Sequence, residues 1–144
     1  MDLYAENILE HSKNPHGKTL VHSPTVEHEE VNLSCGDSVK IQLMISDDRV
    51  TAIGWDGSGC AISQAAMSML SEELIGKTVN ELENLETQDI RKLLGVPVSA
   101  RRAKCAFLCL HALKNAIHTL KSEPAQNWVE TLDMNGAVDG AVSN

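Results

Sequence analysis

Val39-Lys40-Ile41-Gln42-Leu43-Met44-Ile45-Ser46-Asp47-Asp48-Arg49-Val50-Thr51-Ala52-Ile53-Gly54-Trp55 is made of two alternating runs joined at a pair of aspartates. Val39, Ile41, Leu43 and Ile45 fall on one side of an extended chain, and Lys40, Gln42, Met44 and Ser46 on the other. That is the period of a strand with one buried face. Asp47-Asp48 supplies a turn, and Val50, Ala52, Ile53 and Trp55 continue as a second strand, so the stretch reads as a β-hairpin. Just upstream, Thr25 to Leu33 carries Val26 and Val31 among charged residues and reads as an exposed edge strand. The expectation is a three-stranded antiparallel sheet.

Helical patterns flank this sheet on both sides. Leu3, Ile8 and Leu9 mark a short N-terminal helix that stops at Asn14-Pro15-His16-Gly17. Ile62, Ala66, Met69, Leu70 and Leu74 recur at helical spacing until Gly76. Thr78-Val79-Asn80-Glu81 has the form of a capping box, and Thr87 is positioned to cap a second short piece before Leu93 and Leu94. After the break at Gly95-Val96-Pro97, Ser99 reads as the cap of the longest helix. Its stripe runs through Cys105, Leu108, Cys109, Ala112, Leu113, Ala116, Ile117 and Leu120. The fold class is α+β: a small three-stranded antiparallel sheet packed against several helices in a single domain, residues 1–122. Residues 123–144 read as a mobile C-terminal tail, with Trp128, Val129 and Leu132 as the residues able to dock.

Size and charge narrow the function. A chain of 144 residues buries a core without a metal to hold it. With 42% apolar but only 3% aromatic residues, that core rests on aliphatic side chains. A net charge of -8 argues against non-specific nucleic-acid binding and suits a partner with a basic face. No 18-residue apolar run is present, so no membrane span is expected. Met1-Asp2-Leu3-Tyr4 has no signal-peptide character, which points to the cytoplasm. In that reducing compartment four cysteines read as ligands, nucleophiles or core rather than disulfides. No nucleophile elbow, Walker loop or dinucleotide fingerprint occurs, so the chain does not read as a conventional hydrolase or nucleotide enzyme.

Asn32-Leu33-Ser34-Cys35-Gly36-Asp37 places a thiol and a carboxylate on either side of a glycine. Gly57-Ser58-Gly59-Cys60 closes the hairpin and opens a helix, and Lys104-Cys105 stands near the start of the long helix. If the hairpin forms, the Cys35 and Cys60 loops lie near one end of the sheet. The steps of 2, 25 and 45 residues match no zinc finger, whose ligands come in close pairs, and suit a shallow site assembled from distant parts of one domain. Three thiolates and one carboxylate suit Zn²⁺ or the irons of a small iron-sulfur cluster. Carboxylate is the harder ligand and leaves such a site open to exchange, although an aspartate after glycine is also a common turn residue. Arg101, Arg102 and Lys104 surround Cys105, against the helix dipole unless an anionic site or an acidic partner offsets them; solvated surface cations are the plainer reading. Cys109 reads as a buried core thiol. The six histidines read as surface residues, with His16 and His28 in reserve as ligands.

Taken together, these residues resemble the U-type iron-sulfur cluster assembly scaffolds, the family of IscU, SufU and the N-terminal domain of NifU. The resemblance covers residues 3 to 122: Leu3-Tyr4 through His11, Asn14-Pro15-His16-Gly17, Asn32 to Asp37, Gly57 to Ser63, and Arg102-Ala103-Lys104-Cys105-Ala106. It implies that Cys35, Asp37, Cys60 and Cys105 bind the metal or cluster, with Cys35 or Cys105 as sulfur acceptor and Arg102 assisting. Lys104 stands where IscU-type proteins have histidine, and Val98-Ser99-Ala100-Arg101-Arg102 replaces the Leu-Pro-Pro-Val-Lys chaperone segment. The site is thus SufU-like, while the 45-residue interval lacks the usual SufU insertion and is IscU-like in length.

The implied function is a scaffold that takes persulfide sulfur from a pyridoxal-phosphate cysteine desulfurase, binds iron and passes a transient [2Fe-2S] cluster to apo-proteins or carriers, as a monomer or weak dimer. The alternative is a zinc-dependent sulfurtransferase partner that activates a SufS-type desulfurase. A third reading, a zinc-stabilised interaction module without sulfur chemistry, predicts tight zinc retention and unfolding by chelators.

Overall fold

The hairpin forms where its alternation places it. In the computed structural model, which describes residues 3–132, strand β2 (Asp37–Ser46) pairs antiparallel with β3 (Arg49–Ser58), with Ile41 opposite Trp55 and Leu43 opposite Ile53. Ser46 pairs with Arg49, so the loop is the two residues Asp47 and Asp48, with φ of 51° and 64°. Positive φ at both central positions gives the turn whose twist matches the flanking strands, and aspartate tolerates it better than most residues. Strand β1 (Val26–Asn32) pairs antiparallel with β2, from Val26 opposite Leu43 to Asn32 opposite Asp37, giving the order β1-β2-β3.

One face of this sheet is the core. Val39, Ile41, Leu43 and Trp55 are fully buried there. The other face is partly covered: Gln42 is buried, accepting the Val21 N–H at 2.7 Å and donating to Glu27 at 2.9 Å. The edge strand β1 is likewise less exposed than its sequence suggests. His28 and Glu30 point inward, and His28 Nε2 is hydrogen-bonded to the Glu30 carboxylate at 2.5 Å, with Asn115 donating to Glu30 at 2.9 Å.

Around the sheet stand α1 (Leu3–Lys13), α2 (Ala61–Leu74), α3 (Val79–Glu83), α4 (Thr87–Leu94) and α5 (Ala103–Leu120). Helix α5 packs on β1 and β2 and also meets α2, α3 and α4, which makes it the centre of the molecule. It is buried almost all round, since Ala106, Phe107 and Leu110 join the expected stripe at zero exposure. Two of the expected caps change. The Thr78–Glu81 box forms, with both reciprocal bonds present. Thr87 is instead the first residue of α4, and the Glu86 N–H is held by the Asp89 carboxylate at 2.8 Å. Ser99 begins a single 3₁₀ turn, Ala100–Arg102, and makes no side-chain cap bond, so α5 starts at Ala103.

Packed structure continues beyond residue 122. Helix α6 (Trp128–Leu132) lies on α5, with the Trp128 ring stacked on His111 at 4.1 Å and Leu132 6% exposed. Polar bonds anchor the connection, Gln126 N–H to Asn115 at 2.8 Å and the Gln126 side chain to Thr131 at 2.7 Å. Such anchors leave no apolar period to read. The rest of the expected tail, 133–144, lies outside the described residues. The surface assignment of the histidines fails for two of them: His11 is 7% and His111 4% exposed, each bonded to a buried hydroxyl, Ser68 and Thr131 respectively.

Candidate functional site

The β1–β2 turn sets the first thiol. The Asn32 carbonyl accepts the N–H groups of Cys35 at 3.2 Å and Gly36 at 2.8 Å, and the Asn32 side chain accepts that of Ser34 at 3.2 Å. Gly36 takes φ of 76°, a left-handed corner that glycine adopts at little cost. Cys35 therefore stands exposed at the tip, and Asp37 begins β2. Because side chains alternate, Asp37 shares the core face with Val39, Ile41 and Leu43, and it is 2% exposed.

The same face receives α5, which delivers Cys105. Its Sγ lies 3.4 Å from the Cys35 Sγ, and a donor atom of Asp37 falls with both sulfurs inside a mutual separation of 4.8 Å. Cys60 arrives from the end of β3 as the N-cap of α2. Its N–H donates to Asp37 Oδ1 at 3.2 Å, so the positive end of α2 holds one oxygen of the carboxylate. Gly59 makes this approach possible: a Cβ there would stand 2.5 Å from Asp37 Oδ1. The Cys60 sulfur stands outside the close trio but lines the same open cavity of about 550 Å³, with Cys35, Gly36, Asp37, Cys105, Arg101 and Arg102.

The donor set fits a metal. Asp37 Oδ2 is buried and accepts no hydrogen bond from the described residues, an arrangement that costs free energy unless a cation meets it. Burial first, and then the neighbouring Cys35 and Asp37, drive the Cys105 thiol far above the ordinary cysteine range, so without a cation it keeps its proton. A bound Zn²⁺ or iron would reverse that balance by stabilising the thiolate.

The other candidates separate cleanly. Arg101 and Arg102 are exposed on the cavity wall, whereas Lys104 extends over the Trp128 ring at 5.8 Å. Cys109 is 1% exposed and bonds back to the Ala106 carbonyl, its thiol pushed up to about 12 by burial, as a core residue should be. Gly59 is the contributor that the sequence reading missed; glycine on both sides of Ser58 was the available signal.

The comparisons agree with this architecture. The family described as NifU-like N terminal domain matches residues 3–127, and the chain belongs to it. An iron-sulfur cluster assembly scaffold protein IscU from Thermotoga maritima is 31% identical over 131 residues, covering 80% of this chain and 92% of the relative. A zinc-dependent sulfurtransferase SufU from Bacillus subtilis is 28% identical over 132 residues, covering 80% and 89%. A crystal structure from Fervidobacterium islandicum AW-1, assigned as an iron-sulfur cluster assembly scaffold for the SUF system, superposes with a TM-score of 0.64 at 31% identity over 78% of this chain and 94% of that one. The N-terminal NifU-like protein of Brucella abortus, at 21% identity, shares the fold with a TM-score of 0.70 over 85% of this chain and 96% of its own. Among the described residues no helix is long and apolar enough to cross a membrane.

Proposed function

We propose that this chain is an iron-sulfur cluster assembly scaffold: it accepts sulfur from a pyridoxal-phosphate cysteine desulfurase, gathers iron, and hands a [2Fe-2S] unit to apo-proteins or carriers. The observation that carries the reading is the meeting of Cys35, Asp37 and Cys105, from one turn, one strand start and one helix start, in a cavity that Cys60 also lines.

Sulfur arrives as the outer atom of a persulfide on the donor cysteine. The Cys35 thiolate attacks that atom, the donor S–S bond breaks, and the donor leaves as a thiolate while Cys35 becomes the persulfide. Cys35 suits this step because it is exposed at a loop tip, whereas Cys105 is only 5% exposed. Reducing the transferred sulfur to sulfide takes two electrons from an external reductant, and Fe²⁺ comes as the second substrate. Arg102, exposed on the cavity wall, is placed to steady an anionic sulfur or to meet an acidic group of the desulfurase. Asp37 contributes one hard oxygen among sulfurs, which keeps the cargo exchangeable. This chemistry needs a reducing compartment, which the cytoplasm supplies, and a monomer or weak dimer would leave the cavity open to partners.

A second reading, a zinc-dependent sulfurtransferase that stimulates a desulfurase, is favoured by Lys104. Lys104 reaches the Trp128 ring and is no metal donor, so the cavity would offer three sulfurs and one carboxylate, the number and kind of ligands a tetrahedral zinc takes. Cys35, Asp37, Cys60 and Cys105 would hold the ion, which would keep the thiols ionised near neutral pH.

Transfer itself is tested without iron. Mixed with a desulfurase and cysteine, the protein should gain one sulfur on Cys35 by peptide mass spectrometry, and Arg102→Glu should slow the gain without lowering the thermal midpoint. Sulfur on Cys105 with Cys35 unmodified would contradict the assignment.

A further inference from the structure

A second cluster of ligand-type side chains lies between α1, the following loop and the C-terminal end of α2, the helix whose other end carries Cys60. His11 belongs to the last turn of α1, His16 to the loop Asn14-Pro15-His16-Gly17, and Glu72 to the last turn of α2. One donor atom from each lies within 4.8 Å of the other two. Cys60 opens α2 and Glu72 stands twelve positions later, about 18 Å along the helix axis.

The cluster is built rather than incidental. The His16 backbone is fixed on three sides: its N–H donates to Ser68 Oγ at 2.7 Å, and its carbonyl accepts Trp55 Nε1–H at 2.7 Å and the Ser71 hydroxyl at 3.1 Å. The same Ser68 hydroxyl meets His11 Nδ1 at 2.7 Å. That bond sets the orientation of a buried imidazole and leaves Nε2 facing Glu72 at 3.6 Å, too far for a hydrogen bond. His16 Nδ1 meets the other Glu72 oxygen at 2.9 Å. The two rings stand 4.6 Å apart and tilted by 47°. Nitrogen and oxygen ligands about 2.0–2.1 Å from a tetrahedral ion are separated by roughly 3.3 Å, and each imidazole stands near that distance from one or other Glu72 oxygen, 3.6 Å for His11 and 2.9 Å for His16.

We propose that His11, His16 and Glu72 form a second divalent transition-metal site, with two imidazoles and one carboxylate as protein ligands and the remaining positions open to water. The donor set selects ions of the zinc and ferrous class over magnesium or calcium, which take oxygen ligands. Ser68 is the positioning residue: it is fully buried and touches both histidines, holding His11 by the ring nitrogen that does not face Glu72. His16 and Glu72 are about half exposed at their side chains, so the ion exchanges with solvent. The site stands independently of the cysteine chemistry, because no thiol takes part.

Cobalt separates the two sites. Tag-free protein is first given one equivalent of Zn²⁺ to fill the thiol site and is then titrated with Co²⁺, followed by visible absorption. The expected result is one further equivalent of Co²⁺ with ligand-field bands and no thiolate-to-cobalt charge transfer. His16→Ala and Glu72→Gln, both at exposed side chains, should weaken it at least 10-fold, Ser68→Ala by 10- to 100-fold, and His118→Ala not at all. Circular dichroism establishes that each variant is folded. Absence of a thiolate-free cobalt spectrum in the wild type, or equal affinity in folded His16→Ala and Glu72→Gln, overturns the site.

Discussion

The Cys105 Sγ lies 3.4 Å from the Cys35 Sγ although 70 residues of chain separate them. The contact exists because Asp37 and α5 share one face of β2, so the turn before β2 and the first turn of α5 meet at the same end of the sheet. It divides the four cysteines into three that line a cavity and one, Cys109, that belongs to the core.

Serine substitutions should follow this division. Cys35→Ser, Cys60→Ser and Cys105→Ser should each abolish retention of iron and sulfide while leaving the protein folded. Cys109→Ser should keep assembly activity and lose about 1–3 kcal/mol of stability, since it buries a hydroxyl in a thiol's place. Iron and sulfide analysis together with urea unfolding tests both halves. An inactive, folded Cys109→Ser beside an active Cys105→Ser would reverse the assignment.

Gly59 offers a sharper probe of the carboxylate. A Cβ there would stand 2.5 Å from Asp37 Oδ1, and the bond from the Cys60 N–H would be displaced with it. Gly59→Ala should weaken zinc binding by about 10- to 100-fold, the range typical of lost outer contacts to a metal ligand. Competition with a chromophoric chelator measures it, and unchanged affinity would mean that Asp37 is not held by this contact.

Stability should decline on the acid side of neutrality partly through His111. Burial lowers its pKa, with His28 and Lys104 acting in the same direction and Glu30 opposing. The folded value lies below the unfolded one, so the unfolded chain binds the extra proton as pH falls. The contribution is complete above the unfolded pKa of about 6.5 and is lost as pH drops toward the depressed folded value. Urea midpoints at about pH 7.5 and 5.5 should therefore differ more for the wild type than for His111→Gln. Equal differences would remove His111 from the acid response.

The strands and main helices were legible because each carries its own period. Val39, Ile41 and Leu43 announce a buried face, and Asp47-Asp48 can adopt the turn that joins β2 to β3. The candidate ligands were legible as residue types at loop and helix starts, and only the register of β2 shows Asp37 turned inward beside Cys105. What escaped the sequence depends on partners far along the chain. Nothing near His11 signals Ser68, which lies 57 residues away, and nothing near Trp128 signals the His111 ring on which it stacks. Ser99 and Thr87 failed as caps because a 3₁₀ turn and the Asp89 carboxylate meet the backbone there instead.

The central claim is tested most directly by anaerobic assembly. Purified protein, a cysteine desulfurase, cysteine, Fe²⁺ and a reductant are combined, and the protein is recovered by gel filtration. The account predicts bound iron and sulfide with a visible charge-transfer spectrum, both then lost to an apo-acceptor. Retained zinc, no chromophore and faster desulfurase turnover would contradict it and assign the chain to sulfur transfer alone.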